Sequence, residues 1–270
     1  DVFSLLNTNA TSGSEQLIQL ATDTNIYSDV STTFTHSKIN GNSSNLTITG
    51  KDITLDAIDD IASLTVNESS ALLDSDTTSL ILTDNISTKG VVIEVNLTKG
   101  NIDIGNDISL AASNTGHILL NTAIISSSSA NLSLSVSDSD LQIQGVNSLG
   151  NLTIENASSL TTISGDIDIQ GTFISGNTPS MTLNGDRIIN ADDGIDFSTT
   201  KLLSDTESST ISLTALDTSN DTLSGISISD ITTSSLNIIS SGLTLNGDIT
   251  TSLTSANSLD LSRSGSISLA

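Results

Sequence analysis

A short apolar-polar-apolar triplet returns along most of the chain: Leu-Thr-Ile at 46–48, Leu-Thr-Val at 64–66, Ile-Asp-Ile at 102–104 and again at 167–169, Met-Thr-Leu at 181–183, Ile-Ser-Leu at 211–213, Leu-Thr-Leu at 243–245 and Leu-Asp-Leu at 259–261. Fourteen such triplets run from Leu46 to Leu261, and their thirteen steps have a mean spacing of roughly 16, with single steps of roughly 14 to 22. Alternation at period two puts both apolar side chains of a triplet on one face of a strand. Three residues make a strand too short to stand alone. Each copy therefore needs a partner, and a fixed return distance supplies one in the form of the next copy.

Several triplets share a continuation. LTITGKDI at 46–53, IDIGNDI at 102–108, MTLNGDRI at 181–188 and LTLNGDI at 243–249 all read strand, Gly, Asp, Ile. In this reading Gly50, Gly105, Gly185 and Gly247 supply positive φ at a corner, and Asp52, Asp107, Asp186 and Asp248 are solvated corner residues. Leu46, Ile48, Ile102, Ile104, Met181, Leu183, Leu243 and Leu245 point inward and stack on their equivalents one coil away. The phrase at 181–186 recurs at 243–248, a gap that reads as four coils of roughly 15.5 residues. The predicted fold is all-β, a right-handed parallel β-helix of about 16 short coils. Residues 46–270 read as a regular stalk. Residues 1–45 read as irregular coils with an insertion, in which 14–22 admits a helical turn or two, and the whole as a piece of a longer chain.

Composition supports this class. Aromatics are 2% of the chain (Phe3, Tyr27, Phe34, Phe173, Phe197), so the interior must be built from Ile, Leu, Val and Ala. Ser, Thr, Asn, Asp and Gly fill the spaces between and disfavour helix. One Pro, Pro179, agrees with ladders that need every backbone N–H. The formal net charge of −24 argues against nucleic acid and anionic membrane surfaces, which require clustered Lys and Arg. No apolar run is long enough for membrane insertion. With no Cys there is neither a disulfide framework nor a thiolate metal site.

Candidate chemistry is sparse. The acidic cluster Asp192, Asp193 and Asp196 in NADDGID has the paired carboxylates that glycoside hydrolysis uses. It vaguely resembles the acids of polygalacturonase-type hydrolases, but that family's downstream Gly-His-Gly and Arg-x-Lys are missing, and the one Gly-His, Gly116-His117, lies upstream. Lyase chemistry needs a cationic base and clamp, and Arg187, Arg263 and five scattered Lys do not cluster. His36 and His117 stand alone and read as turn or surface residues. The Asp-Ser-Asp turns at 74–76 and 138–140 offer hard oxygens for weak Ca²⁺ binding; no other cofactor and no catalytic, cofactor-binding or metal residue is expected.

The loosely repeated LTLNGDITT, LTITGKDITLDA and GSISLA resemble the repeat stalks of filamentous-haemagglutinin-type exoproteins, the β-helical adhesins and matrix proteins exported by two-partner secretion. The resemblance covers residues from about 46 onward. It implies a non-catalytic extracellular stalk at the cell surface or in a biofilm matrix, whose partners are surface or matrix glycans, or other copies of itself in fibres. A polysaccharide-binding or polysaccharide-cleaving β-helix, or a phage-fibre segment, is the alternative.

Overall fold

The computed structural model describes residues 2–6, 16–69, 78–113, 116–157, 161–206, 208–217, 222–251, 259–260 and 266–269. These contain strands and no helix. Among them, apart from one short antiparallel pair, the strands pair in parallel, each meeting its partner about one coil further along the sequence. The chain is an all-β parallel β-solenoid. It divides into two compact units, residues Asp1–Ser137 and Asp138–Ala270.

In the second unit three faces each link six strands. One face runs through Leu141–Ile143, Thr161–Ile163, Ser180–Leu183, Lys201–Ser204, Ile231–Thr233 and Ile249–Thr251. The next runs from Val146–Leu149 through Ile167–Ile169, Arg187–Ala191, Thr210–Thr214 and Ser235–Ile239 to Leu259–Asp260. The third runs from Leu152–Ala157 through Thr172–Gly176, Gly194–Phe197, Gly225–Ile228 and Gly242–Leu245 to Ser266–Leu269. The first unit uses the same scheme. There Leu46 pairs with Leu64, Leu64 with Ile93 and Ile93 with Ile118, while Ile53, Leu80 and Ile102 follow one another on a different face.

The coil is therefore longer than the triplet spacing, and there are fewer coils than the triplets suggest. On the third face Leu152 pairs with Phe173, Phe173 with Ile195, Ile195 with Ile226 and Ile226 with Leu243. Of these coils the one from Ile195 to Ile226 is the longest and the one from Ile226 to Leu243 the shortest. A coil holds three strands, and the triplets at 152, 167, 181 and 195 fall on the third, second, first and third faces in turn. A stride of about 15 residues is two-thirds of a coil of about 22, so it looks like a period while marking successive faces. For the same reason the two TLNGD phrases are not stacked equivalents: Leu183 pairs with Ile163, and Leu245 with Ile228 and Leu269.

All eight residues assigned to the inward stack are buried: Leu46, Ile48, Ile102, Ile104, Met181, Leu183, Leu243 and Leu245. Like side chains meet along a face, as in Leu46–Leu64 and Ile167–Ile189, and removing each from water contributes about 1.5–3 kcal/mol. Phe173 and Phe197 lie edge to face in the second unit, with ring centroids 4.8 Å apart and planes at 87°. That is the geometry the aromatic quadrupole favours.

Of the expectations for residues 1–45, the helical turn at 14–22 is overturned where the residues are described. Gln16–Gln19 is a strand paired with Ser37–Asn40, with no helical turn, and Thr24 and Ser31 already pair with Leu46 and Asp52. From Gln16 onward the strands keep an even register but carry polar residues inside: Thr32, which pairs with Ile53, and Ser37 are both buried. That substitution hides the alternation. The corners also differ from expectation. Gly185 has φ 74°, but Gly50, Gly105 and Gly247 do not have positive φ, and His36, Asn42, Asn156 and Asn177 do. Asn tolerates the left-handed region through local hydrogen bonds, so it takes such turns at positions other than the glycines expected to hold them.

Phe173 has no exposure and an aromatic partner. Phe173→Ala is expected to lower the unfolding free energy of the second unit by about 3–5 kcal/mol in urea titrations. Hydrogen exchange should rise first in the strands paired with it, Leu152–Ala157 and Gly194–Phe197.

Candidate functional site

Two features of the outer surface go beyond packing. The first is a depression of about 420 Å³ in the second unit, on the face formed by Thr172–Gly176, Gly194–Phe197, Gly225–Ile228 and Gly242–Leu245. Alternation sends Ile195 and Phe197 inward and leaves Asp196 exposed. Because the strands are in register, Asp196, Ser227 and Thr244 follow one another as an outward ladder. Asp193 lies at the start of the strand, its N–H donating to the carbonyl of Gly171 at 3.0 Å. Gly194, Gly225 and Gly242 open the three strands and line the depression beside these polar groups.

The glycines there differ in what they require. Gly194 has φ 137°, and a Cβ on it would lie 3.0 Å from the carbonyl oxygen of Gly225. On Gly225 a Cβ would find only the Gly242 carbonyl, at 4.0 Å. The depression is thus backbone-floored and has room for a side chain at its centre. It coincides with the longest coil of this face, the one from Ile195 to Ile226. The added length is a small antiparallel hairpin, Leu216–Asp217 with Thr222–Leu223, closed at its base by the Ser224 N–H on Ala215 O at 2.9 Å. No Lys or Arg is among the described residues that line the depression.

The second feature is a set of carboxylates that bind across coils. Asp166 Oδ1 accepts the N–H of Ile188 at 2.9 Å, Asp186 Oδ1 that of Thr210 at 2.8 Å and Asp230 Oδ1 that of Asp248 at 2.7 Å. Asp107 accepts both the N–H and the side-chain amide of Asn131, at 2.8 and 2.9 Å. Asp52 accepts the Ser79 hydroxyl at 3.3 Å. Asp52, Asp107 and Asp186 are therefore not merely solvated: Asp107 and Asp186 take N–H groups at or just before the start of a strand one coil on, and Asp52 takes the hydroxyl of the residue paired with it. Asp248 is the donor's owner in its pair. Asn67, Asn96 and Asn121 add a ladder of side-chain amides, at 3.1 and 3.0 Å. Gly247 is needed for space, since a Cβ there would fall on the Asp230 carboxylate and lie 2.7 Å from Ser229 O.

Three carboxylates of the first unit are held below their ordinary range. The Asn45 N–H lowers Asp23, the Tyr27 hydroxyl and then the Ser69 hydroxyl lower Asp29, and the Ser87 hydroxyl, followed by the Asp60 N–H and Lys38 at 3.5 Å, lowers Asp59. In each case the hydrogen bond favours the charged form.

The structure brings Asp193 and Asp196 into one depression, while Asp192 is half-buried in the preceding turn, its N–H on Ile169 O at 3.2 Å. Among the described residues no three His, Asp or Glu side chains form a group that would hold a metal ion. Asp74 and Asp76 lie outside the described residues, as does Arg263; Asp138 falls at the end of the strand Leu132–Ser139 and Asp140 just past it. His36 occupies a left-handed corner and His117 begins the strand His117–Ser126. Sequence reasoning missed the cross-coil bonds and the partners Asp23, Asp166, Asp205 and Asp230. No family model, no curated protein and no solved structure matches the chain.

Asp230→Ala leaves the Asp248 N–H without its acceptor and is expected to cost about 1–2 kcal/mol by urea denaturation. Asp168→Ala, at an exposed mid-strand carboxylate, should stay within a few tenths of a kcal/mol, and equal losses would refute the role given to the corner acids. The lowered acids add a pH dependence. Their folded pKa values lie below the unfolded value of 3.8, so their stabilisation is complete above that value and is lost as pH falls through the folded values. The thermal midpoint of the first unit should accordingly fall below about pH 4, and fall less steeply in Asp23→Asn/Asp59→Asn.

Proposed function

We propose that the chain is a structural and adhesive element of an extracellular stalk, without catalysis, and that the depression of the second unit is where it holds a neutral glycan. The observation that carries the reading is the outward ladder Asp196, Ser227 and Thr244 beside a glycine floor. A carboxylate accepts hydrogen bonds from paired sugar hydroxyls, and Ser and Thr hydroxyls both donate and accept. A floor without side chains lets a flat ring approach the backbone. The spacing of rungs, about 4.8 Å, matches a chain of hydroxyl-bearing rings lying along the stack. Uronates and sulfated sugars fit poorly, because the described lining holds no cation and the chain carries −24.

Stalk function rests on the same surface chemistry. Parallel register, amide ladders and cross-coil carboxylates tie each coil to the next, as a spacer under load requires. Display at the cell surface or in a matrix, export by two-partner secretion, a right-handed coil and lateral association into fibres belong to this proposal through the likeness of the repeats to haemagglutinin-type stalks. A second reading is favoured by Asp193 and Asp196 sharing one depression: a β-helix that cleaves the polysaccharide it binds.

Titration with neutral and uronate-rich oligosaccharides, followed by NMR shifts of the glycine amides, tests these readings. Neutral sugars should shift Gly225 and Gly242, and uronates should not. Gly225→Val fills the depression at a position that accepts a Cβ, and Asp196→Ala removes the acceptor; each should weaken binding by about tenfold or more. Absence of binding by the native chain would remove the adhesive reading at this site, and release of reducing ends would establish the second reading instead.

A further inference from the structure

The sequence has three Asn-Gly steps: Asn40-Gly41, Asn184-Gly185 and Asn246-Gly247. Glycine after asparagine leaves the peptide nitrogen unhindered, so that nitrogen can attack the asparagine side-chain carbonyl. The attack needs the N–H free to lose its proton and a backbone able to turn toward the side chain. The solenoid treats the three steps differently.

Gly41 N–H donates to the Asp59 carbonyl at 3.1 Å, and Asn40 closes the strand Ser37–Asn40 with its Oδ1 accepting the Asn42 N–H. Gly185 N–H donates to Asp205 Oδ1 at 2.7 Å, and the Asn184 amide is held by Ser164 Oγ at 3.0 Å. Both nitrogens are engaged. Asn246 and Gly247 are exposed and stand between the strands Gly242–Leu245 and Ile249–Thr251. At that corner Ile228 O takes the Asn246 N–H at 2.9 Å and Asp230 Oδ1 takes the Asp248 N–H. Gly247 N–H lies between these two and finds no hydrogen-bond acceptor among the described residues. The Asn246 side-chain amide reaches Ser198 O at a long 3.3 Å.

We propose that Asn246 is a site of self-modification, a slow covalent clock at one corner of the second unit. Gly247 N loses its proton to solvent base and bonds to Asn246 Cγ. The Cγ–Nδ2 bond breaks, ammonia leaves, and a five-membered succinimide remains. Water then opens the ring at either carbonyl, giving aspartate or isoaspartate at position 246; no oxidant, metal or enzyme enters. Aspartate adds one negative charge to a surface already at −24. Isoaspartate also adds one atom to the main chain. Pairing of Ile249 with Ile231 and the Asp248 N–H to Asp230 bond cannot then both keep their register, so the strand Ile249–Thr251 loosens.

The test is peptide mass spectrometry of the intact protein aged in heavy-oxygen water, which labels each opened ring. In the native state Asn246 should convert at least about tenfold faster than Asn184 or Asn40, the factor set by opening one hydrogen bond of ~1.4 kcal/mol. The rate should rise with pH, because the nucleophile is the deprotonated amide. In urea the three sites should converge, since the difference belongs to the fold. Asp205→Ala frees Gly185 N–H and should bring Asn184 toward the rate of Asn246. Equal native rates at the three sites, an intact Asn246, or an Asp205→Ala chain in which Asn184 stays as slow as before would each overturn the proposal.

Discussion

Register between coils is the constraint from which the rest of this structure follows. A strand of three to five residues has no stability of its own, and among the described residues most are held by backbone hydrogen bonds to a strand one coil before and one coil after. That arrangement makes the side chain at a given position answer to its partner one coil away rather than to its sequence neighbours. Inside, apolar mostly meets apolar, as Leu152, Phe173, Ile195, Ile226 and Leu243 do in succession. A slip of one residue would turn every inward side chain outward, so burial fixes the register of each face.

Corners are where register leaves work undone. Strands satisfy their own N–H groups, but the residues that turn from one face to the next have donors with no ladder partner. The carboxylates of Asp107, Asp166, Asp186 and Asp230 take up N–H groups of a neighbouring coil at corners and at the first residues of strands. Acidity in this chain is thus partly structural. Asp suits the task because its short side chain reaches about one rung spacing and its charge strengthens the bond. Negative charge accumulates as a result, and exposure to solvent and counterions keeps it tolerable.

The class of fold was legible in the sequence because alternation and short return distance survive any choice among Ile, Leu, Val and Met. The inward residues were legible for the same reason. The coil length was not: with three faces of similar pattern, a stride of two-thirds of a coil gives as regular a signal as a full one, and only the pairing of Phe173 with Leu152 and Ile195 separates them. Cross-coil carboxylates left no trace either. Their partner is a backbone N–H, which every residue but proline has, so Ile188, Thr210 and Asp248 share no sequence feature. Of the acidic cluster, Asp193 and Asp196 were findable as exposed acids, but the glycine floor was not, because Gly194, Gly225 and Gly242 align only after the long coil between Ile195 and Ile226 is accounted for.

Irregularity in coil length is what gives this surface any individuality. Equal coils would place every outward side chain in an unbroken ladder, with no concavity for a ligand. The chain inserts its hairpin immediately before Gly225, and the next coil on this face, from Ile226 to Leu243, is the shortest there. A long coil beside a short one leaves the wall of the solenoid uneven while the inward residues Ile195, Ile226 and Leu243 stay in register. The core therefore tolerates the variation that the surface uses. Loop closure keeps the penalty small, since lengthening a surface connection modestly costs only a few tenths of a kcal/mol. Selection can thus add or remove residues at corners without disturbing the stack, and a new depression, a new exposed peptide nitrogen or a new acid can arise one coil at a time.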